Sequence, residues 1–302
     1  MKILVTGSHG LVGSALLPAL TAEGHHVVRL VRAAPASVDE NAWNPEVNQI
    51  DSAALEDFDA VVHLAGENIA GRWTAAKKAR IRESRVANTR LLCEALAKLQ
   101  RPPRVLIAAS AIGFYGSRGD ETLTEESAAG VGFLPEVVRD WEAAAQPAHA
   151  RNIRVVQLRF GIILSERGGA LAKMLPPFRL GLGGRVGSGR QWWSWISMDD
   201  VAGAICFAIA SETLSGPVNF VAPNPATNAE FTRVLGRVLH RPTVFPLPAF
   251  VARLALGQMA DGLLLASARV KPSRLLAAGF QFKQPTLEAA LRHVLPAGAP
   301  RI

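Results

Sequence analysis

The stretch ILVTGSHGLVG, residues 3–13, joins a short apolar strand to a helix through three spaced glycines. Gly7 allows a tight turn after the strand, and Gly10 lets the backbone approach a ligand with no Cβ in between. Gly13 lets the helix pack closely on the strand, and the helix N-terminus presents its free N–H groups to an anion. With a second strand following at residues 27–31, this arrangement predicts a dinucleotide pyrophosphate site rather than a simple glycine-rich turn.

The second strand carries the residues that select between the two nicotinamide cofactors. An acidic residue at its end would bind the ribose 2′-hydroxyl, whereas a basic residue would accept a 2′-phosphate. The chain has no acid between Gly24 and Val38, but it has Arg29 within the strand and Arg32 just beyond it. We therefore predict NADP(H) as the cofactor and Arg32 as its 2′-phosphate ligand, with Arg29 at an edge or on the surface.

The first 160 residues alternate apolar runs with longer helical stretches, which is the pattern of a parallel α/β sheet. The predicted strands are Ile3–Thr6, Val27–Val31, Ala60–Leu64, Val105–Ala109 and Val155–Leu158, and the predicted helices are Leu11–Ala22, Ala75–Leu99 and Leu134–Ala148. The strands are almost continuously apolar, as strands buried on both faces are. We predict an α/β fold with a doubly wound parallel sheet, the Rossmann arrangement.

The pattern loosens beyond residue 160 into a glycine- and proline-rich stretch, a helix from about Asp199 and a short strand near Val218–Val221. Prolines at positions 242, 246 and 248 mark the clearest boundary. We predict an NADP-binding core over residues 1–240 and a small, mostly helical C-terminal domain on the substrate side over residues 241–302. Three short basic helices are expected at residues 249–295, and charge on such helices more often faces water than forms an anion site.

The composition excludes several classes of protein. Two cysteines in 302 residues cannot form a disulfide scaffold, and no apolar stretch is long enough to span a membrane. No cysteine or histidine cluster has the spacing of a metal site. The net charge of +8 permits an anionic ligand but is weak support for nucleic-acid binding. We expect a cytoplasmic protein that acts on a small molecule, without a metal, membrane or nucleic-acid partner.

Further segments resemble the short-chain dehydrogenase/reductase superfamily, in its extended, epimerase-like branch. Besides the glycine turn, they are HLAG at residues 63–66, ASAIGFYG at 109–116, GSGRQ at 187–191 and WISMDDV at 195–201. The chain also resembles an atypical subgroup, the epimerase family proteins, which have a C-terminal domain of unknown function. The segments that carry this resemblance are AGENI (65–69), ESR (83–85), WEAA (141–144) and PFRLGLGG (177–184). The resemblance covers nearly the whole chain and implies the Rossmann fold and a nicotinamide cofactor.

The Tyr-x-x-x-Lys pair that this superfamily uses for proton transfer is absent. No lysine stands four residues after the only tyrosine, Tyr115, and matching the helix that carries the pair places Val137 and Trp141 at those positions. Tyr115 corresponds to a tyrosine that lines the site without being the usual acid. The superfamily's substrate-binding serine falls at Ala111, one residue after Ser110. The resemblance leaves Ser110 and Tyr115 as candidate catalytic residues.

Four other features have two interpretations each. Glu67 and Arg85 form either a charge pair in the cleft or an ordinary surface ion pair, and His63 is expected to pack rather than to act as a base. For the acidic loop at residues 120–126 we favour a solvated loop over a substrate loop. The tryptophan-rich residues 191–195 either pack against the C-terminal helices or contact a substrate, and the sequence favours neither interpretation.

The predicted cofactor-binding residues are Gly7, Ser8, His9, Gly10, Leu11, Val12, Gly13, Arg32, Leu64, Ala65, Gly66, Glu67 and Arg85. The leading hypothesis is an NADP(H)-binding oxidoreductase or epimerase-like enzyme that transfers a hydride to or from an unidentified small substrate. The alternative is a catalytically silent sensor or interaction protein whose conformation follows NADP(H) binding. Extended members often dimerise through the helices corresponding to residues 75–99 and 134–148, so a homodimer is a further hypothesis.

Overall fold

An eight-stranded sheet forms the centre of the computed structural model, which describes residues 1–295. The strands are β1 (Lys2–Thr6), β2 (His26–Val31), β3 (Glu40–Asn44), β4 (Gln49–Ile50), β5 (Ala60–His63), β6 (Val105–Ala111), β7 (Thr122–Leu123), β8 (Arg154–Phe160), β9 (Ile162–Leu164), β10 (Trp192–Trp193), β11 (Trp195–Ser197), β12 (Gly216–Phe220), β13 (Ala226–Thr227) and β14 (Arg269–Val270). The helices are α1 (Leu11–Ala22), α2 (Ala75–Ala97), α3 (Phe133–Ala143), α4 (Gln146–Ala150), α5 (Gly169–Arg179), α6 (Met198–Ala210), α7 (Asn228–Leu239), α8 (Ala249–Leu256), α9 (Ser273–Ala277) and α10 (Leu287–Val294).

The strand order is β4-β3-β2-β1-β5-β6-β8-β12, and every neighbouring pair except β3 and β4 is parallel. The order reverses between β1 and β5, and at such a point the carboxyl ends of the strands open a crevice in which ligands bind. The doubly wound parallel sheet predicted from the sequence is therefore confirmed.

Alternate residues of each central strand point to opposite layers of helices. Ile3 and Val5 of β1 lie in a core shared with α1 and α6, while Leu4 lies in a second core shared with α2 and α4. This alternation explains why the strands are apolar on both faces. The long helix predicted at residues 134–148 is instead two helices, α3 and α4. Pro147 stands in the first turn of α4, where its missing N–H costs nothing, and it would break a continuous helix.

The sequence analysis missed β3 and β4, which extend the sheet beyond β2. Strand β3 has the sequence ENAWN, and among its residues only Trp43 is buried. Such an edge strand has no continuous apolar run, so its sequence does not predict a buried strand. As a consequence, β2 is an inner strand and not an edge. The Arg29 side chain is still 32% exposed, as predicted for a surface residue, and its guanidinium pairs with the buried carboxylate of Glu40, 2.7 Å away.

The C-terminal segment contains the three short helices that were predicted there, α8 to α10. Leu291 of α10 packs with Phe231 of α7, and Leu275 of α9 joins the main core. Arg253 and Arg292 are exposed and pair with Asp261 and Glu288 on the surface, as expected of charge that faces water. The division of the chain at residue 240 stays a prediction, and residues 296–302 of the proposed second domain lie outside the described part.

None of the helices in residues 1–295 combines the length and apolar character needed to cross a membrane.

Asp200 fastens the C-terminal segment to the core. The N-cap of α6 is Ser197, whose hydroxyl accepts a hydrogen bond from Asp200 N and donates one to Asp200 Oδ2. The carboxylate of Asp200 in turn accepts hydrogen bonds from the backbone N–H groups of Lys283, at 2.6 Å, and Gln284, at 3.1 Å. Asp200 thus binds the N-cap of its own helix and, in addition, the backbone of a distant loop.

Replacing Asp200 with Ala is expected to lower the free energy of unfolding by about 3 kcal/mol, because two part-buried backbone N–H groups lose a charged acceptor. Asp199→Ala is the matched control, because Asp199 is half exposed and pairs only with the exposed His293. Its loss is expected to cost less than about 1 kcal/mol. Urea denaturation of both variants measures the difference, and equal costs would contradict the role assigned to Asp200.

Candidate active site

Two of the three glycines in the turn between β1 and α1, Gly7 and Gly13, have no room for a side chain. Gly7 adopts a φ of +68°, and a Cβ on it would lie 2.7 Å from the carbonyl carbon of Leu64 in the turn after β5. A Cβ on Gly10 would lie 3.1 Å from Gly7 O, and one on Gly13 would overlap the backbone of Gly7 and Ser8. The close backbone approach that the sequence predicts is therefore present in the structure.

The N-terminus of α1 is open to an anion. Gly10 is the N-cap and supplies no side-chain cap, and the first turn contains no acidic residue. The first N–H groups of a helix have no partner within the helix, so those of Leu11 and Val12 are available to a ligand phosphate. An uncapped helix start beside a glycine cradle fits a dinucleotide pyrophosphate, both in charge and in the space that it leaves.

An open cavity of about 500 Å³ lies beside this turn and is lined by His9, Val31, Arg32, Ala33, Asn44 and Glu46. Arg32 is exposed there and has no ion-pair partner within residues 1–295. Arg29, by contrast, is neutralised by Glu40. Of the two arginines, Arg32 is thus the one whose charge is available, next to His9 of the glycine turn. The cavity fits a phosphorylated ribose.

The turn after β5 is held by buried hydrogen bonds. Thr6 Oγ1 accepts from the N–H groups of Leu64 and Ala65, at 3.2 and 3.3 Å, and lies 2.7 Å from His63 Nδ1. The other ring nitrogen of His63 is 3.1 Å from Thr89 Oγ1 of α2. Burial lowers the pKa of His63 to about 4, so the ring is neutral at pH 7. His63 is a packing and hydrogen-bonding residue, as expected.

Glu67 and Arg85 do not form the ion pair that was predicted for them. The carboxylate of Glu67 lies 2.5 Å from Lys77 Nζ and 3.8 Å from Arg80 Nε, and the hydrogen bond from Lys77 lowers the pKa of Glu67. The guanidinium of Arg85 stacks on the Trp141 ring, 5.1 Å from its centroid, and lies over Gly66. Lys77 lies about two turns closer to the start of α2 than Arg85, and at that position it meets the carboxylate of Glu67.

Ser110 belongs to a buried polar network at the carboxyl ends of β6 and β8. Its hydroxyl donates to Glu142 Oε1 at 2.6 Å, and Arg159 binds both carboxylate oxygens of Glu142 at 2.8 Å. Burial acts to lower the pKa of Arg159, but the hydrogen bonds and charge of Glu142 outweigh it and raise that pKa above its ordinary value. Arg159 is therefore charged, and Ser110 is bound to the carboxyl group that pairs with it.

Tyr115 is the next member of this network. Its hydroxyl accepts from Arg159 Nη1 at 2.9 Å and donates to Asn219 Oδ1 of β12 at 2.7 Å. The side chain is fully buried, and burial raises the pKa of Tyr115. With both hydrogen bonds satisfied inside the protein, Tyr115 has no free contact to offer a substrate. Ser110 is only 2% exposed, so the geometry gives no support to the catalytic roles suggested for either residue.

Helix α3 carries Val137 and Trp141 where the superfamily has tyrosine and lysine. Both side chains are buried, and Trp141 Nε1 donates to Thr89 Oγ1 at 2.9 Å. Through Thr89 and His63, this indole is connected to Thr6 at the start of the glycine turn. Helix α3 is thus locked to the cofactor turn by a chain of hydrogen bonds, and these two positions provide no titratable group.

The tryptophan segment and the acidic loop meet each other. Trp192 Nε1 donates to Asp120 Oδ1 at 2.8 Å, and the ring stacks against Arg269 rather than against its sequence neighbour Arg190. Trp193 and Trp195 are buried in a core with α5 and α7. The loop is only partly solvated, because Glu125 is buried and accepts hydrogen bonds from two backbone N–H groups. Packing explains most of both segments.

Three residues of the buried network escaped the sequence analysis: Glu142, Arg159 and Asn219. Glu142 stands in the WEAA segment that was noted only as a subgroup pattern. Arg159 stands in the otherwise mainly apolar strand RVVQLRF, and a charge in such a strand is a signal, because buried charges need a partner. Nothing local identifies that partner, because Glu142 and Arg159 meet only across the packing of α3 on β8.

The single tyrosine makes its own titration measurable. Because burial raises the pKa of Tyr115, we expect tyrosinate absorbance in the folded protein to appear at a higher pH than the ordinary tyrosine pKa of about 10. Because the neutral phenol is favoured in the fold, the unfolded chain loses its proton first, and stability falls as the pH rises above that value. An ultraviolet pH titration of native and denatured protein checks this, with Tyr115→Phe as the blank. A native midpoint at or below the denatured one would contradict it.

Removing Arg159 is expected to be strongly destabilising. Arg159→Met leaves the carboxylate of Glu142 buried without its partner, which costs roughly 3–5 kcal/mol in unfolding free energy. Adding Glu142→Gln should restore a large part of that loss, because no charge then remains buried. Urea denaturation of the single and double variants measures both effects. Arg139→Met, at an exposed arginine, is the control, and a similar cost for the two arginines would refute the argument.

Comparison with known proteins supports the same fold and family. The family model for the NAD dependent epimerase/dehydratase family matches residues 3–220, and a model for a domain of unknown function (DUF1731) matches residues 247–294. Epimerase family protein MT2273 of Mycobacterium tuberculosis is 49% identical over 290 residues, which is 96% of each chain. Human epimerase family protein SDR39U1 is 37% identical over 300 residues, covering 98% of this chain and 100% of its own.

Two solved structures are also similar. A crystal structure of human SDR39U1 (isoform2) with NADPH superposes with a TM-score of 0.90 at 36% identity, covering 97% of this chain and 99% of the human one. A nucleoside-diphosphate sugar epimerase from Corynebacterium glutamicum superposes with a TM-score of 0.81 at 40% identity, covering 98% of this chain and 58% of its own. The resemblance inferred from the sequence motifs is confirmed: the chain belongs to the NAD dependent epimerase/dehydratase family.

Proposed function

We propose that this protein binds NADP(H) in preference to NAD(H) and uses it to transfer a hydride to or from a small substrate. The observation that carries the cofactor assignment is the unpaired Arg32 in a cavity beside the glycine turn, together with the neutralisation of Arg29 by Glu40. The human relative crystallised with NADPH supports the assignment, since it matches this chain over almost its full length.

The residues proposed to hold the cofactor fall into three groups. Residues 7–13 contribute backbone N–H groups and the α1 N-terminus to the pyrophosphate, and Arg32 with His9 binds the 2′-phosphate. The turn Leu64–Gly66 passes close to the glycine turn and, with Glu67, lines the path toward the nicotinamide. Arg85, a cofactor residue in the sequence prediction, stands beside this path but is given no phosphate to bind in this arrangement. When bound, the nicotinamide ring supplies the hydride donor or acceptor.

The proton that accompanies hydride transfer is proposed to come from water or from the substrate itself. The tyrosine and lysine that transfer the proton elsewhere in the superfamily are replaced here by Val137 and Trp141. Tyr115 is buried, and its hydroxyl is hydrogen-bonded within the protein. Burial of Tyr115 with a raised pKa leaves it protonated and occupied at neutral pH. Substrates that need no strong protein acid, such as an activated double bond, suit this arrangement best.

A second candidate function is a sensor that binds NADP(H) without turnover. The same observation favours it, since the Ser110–Glu142–Arg159–Tyr115 network is fully satisfied within the protein. In that case the hydrogen-bond chain from Thr6 through His63 to Trp141 would transmit cofactor binding to α3. The two functions predict the same cofactor affinity and differ in hydride transfer.

The cofactor assignment is tested by calorimetry with NADPH and NADH on the wild type and on Arg32→Ala. We expect the variant to bind NADPH roughly 10- to 100-fold more weakly, as the loss of a charged hydrogen-bond partner implies, with NADH affinity almost unchanged. Arg101→Ala is the control. Arg101 is exposed and pairs with Asp57, and both residues precede β5 and β6 at the end of the sheet opposite the glycine turn.

Equal affinity of the wild type for both cofactors, or equal losses in the two variants, would refute the NADP(H) preference. The choice between enzyme and sensor rests on NADPH oxidation across carbonyl, enone and nucleotide-sugar substrates. Oxidation above the cofactor-only rate establishes turnover. Binding of normal strength without oxidation, together with a partner whose affinity depends on the cofactor, establishes the sensor.

A further inference from the structure

Arg85 lies on α2, one turn before Thr89, whose hydroxyl is 3.1 Å from the ring of His63 at the end of β5. It therefore stands beside the turn that follows this strand. Ser84, next to Arg85, accepts a hydrogen bond from Glu67 N at 3.0 Å, which fixes the helix against the turn after β5. The Arg85 guanidinium lies 3.6 Å from where a Gly66 Cβ would stand. The absence of a side chain at Gly66 leaves this group uncovered on that side.

The guanidinium of Arg85 keeps most of its hydrogen-bonding capacity. Its Cζ lies over the Trp141 ring, 5.1 Å from the centroid, and this cation–π contact uses none of the five N–H groups as a hydrogen-bond donor. One of them, on Nη1, donates to Ile81 O at 3.2 Å. No carboxylate within residues 1–295 lies within ion-pair distance of it. A partly buried cation with four N–H groups left over is arranged to receive a ligand.

The surrounding charge favours an anion. Glu67 forms ion pairs with Lys77 and Arg80, and its charge also acts on Arg85 from beyond ion-pair distance, so three cations share one carboxylate here. Arg159 is the contrasting case, because both of its N–H edges are used by Glu142 and Tyr115. The rigid stack on Trp141 also limits the side-chain entropy that binding would cost.

We propose that Arg85 binds a carboxylate of the substrate, so that the substrate class is a small carboxylic acid held by a two-point contact. A guanidinium edge matches the two oxygens of a carboxylate, and its fixed plane over Trp141 sets the orientation of the bound acid. The proposal rests on the NADP(H)-dependent function proposed above. The pyrophosphate and 2′-phosphate have other ligands there, namely the α1 N-terminus and Arg32, which leaves Arg85 to the substrate.

The test uses protein saturated with NADPH and follows the indole N–H signal of Trp141 by NMR. This signal is assigned with Trp141→Phe, and it lies directly beneath the proposed contact. Titration with pyruvate is expected to shift it saturably, while the neutral analogue pyruvamide leaves it unchanged. Arg85→Gln should weaken pyruvate binding at least tenfold, and Arg85→Lys should retain part of it. Arg90→Gln, at an exposed arginine of the same helix, should behave as the wild type.

NADPH affinity, measured separately by calorimetry, separates the outcomes. If the wild type binds NADPH but pyruvate causes no saturable shift, the carboxylate proposal fails and the cofactor assignment stands. If Arg85→Gln lowers NADPH affinity tenfold and pyruvate competes with NADPH, then Arg85 belongs to the cofactor and the proposal is overturned. Equal losses in Arg85→Gln and Arg90→Gln would show a general charge effect and would also overturn it. If NADPH does not bind at all, the proposed function itself fails.

Discussion

The contact between the glycine turn and the turn after β5 is the constraint on which the rest of the structure depends. Gly7 lies against the backbone of Leu64 and Ala65, and Gly13 lies against Gly7, with no space for a Cβ in either place. These contacts set the end of β1 beside the end of β5, where the strand order reverses. They also aim the uncapped N-terminus of α1 at the crevice, so the ligand site is a direct product of how the strands are packed.

Beneath that crevice, the polar residues serve cohesion rather than chemistry. Glu142 and Arg159 tie α3 to β8, and Tyr115 and Asn219 continue the network to β12. A buried ion pair contributes little net stability, but breaking it leaves an uncompensated charge, so the network specifies how these elements fit together. The hydroxyl of Tyr115, the one tyrosine of the chain, is hydrogen-bonded to Arg159 and Asn219 within this network, which explains why it is unsuited to proton transfer.

Arginine has contrasting roles in this protein, and the difference lies in the neighbours. Arg29 and Arg159 meet carboxylates and become part of the framework, whereas Arg32 and Arg85 meet none within the described residues. Arg32 lines the cavity beside the glycine turn, and Arg85 lies over Gly66 in the turn after β5.

The fold and the cofactor turn could be predicted from the sequence, because apolar runs and glycine spacing are local signals that need no knowledge of distant contacts. The same holds for the missing catalytic pair, which follows from counting one tyrosine. Strand β3 could not be predicted, since its pairing with β2 and not its composition makes it a strand. The partners of Glu67, Arg85 and Arg159 were also decided by tertiary structure alone. The sequence determines which side chains are charged. Whether a charge is neutralised depends on the residues that lie within a few ångströms of it, and the packing of helices on the sheet decides which residues those are.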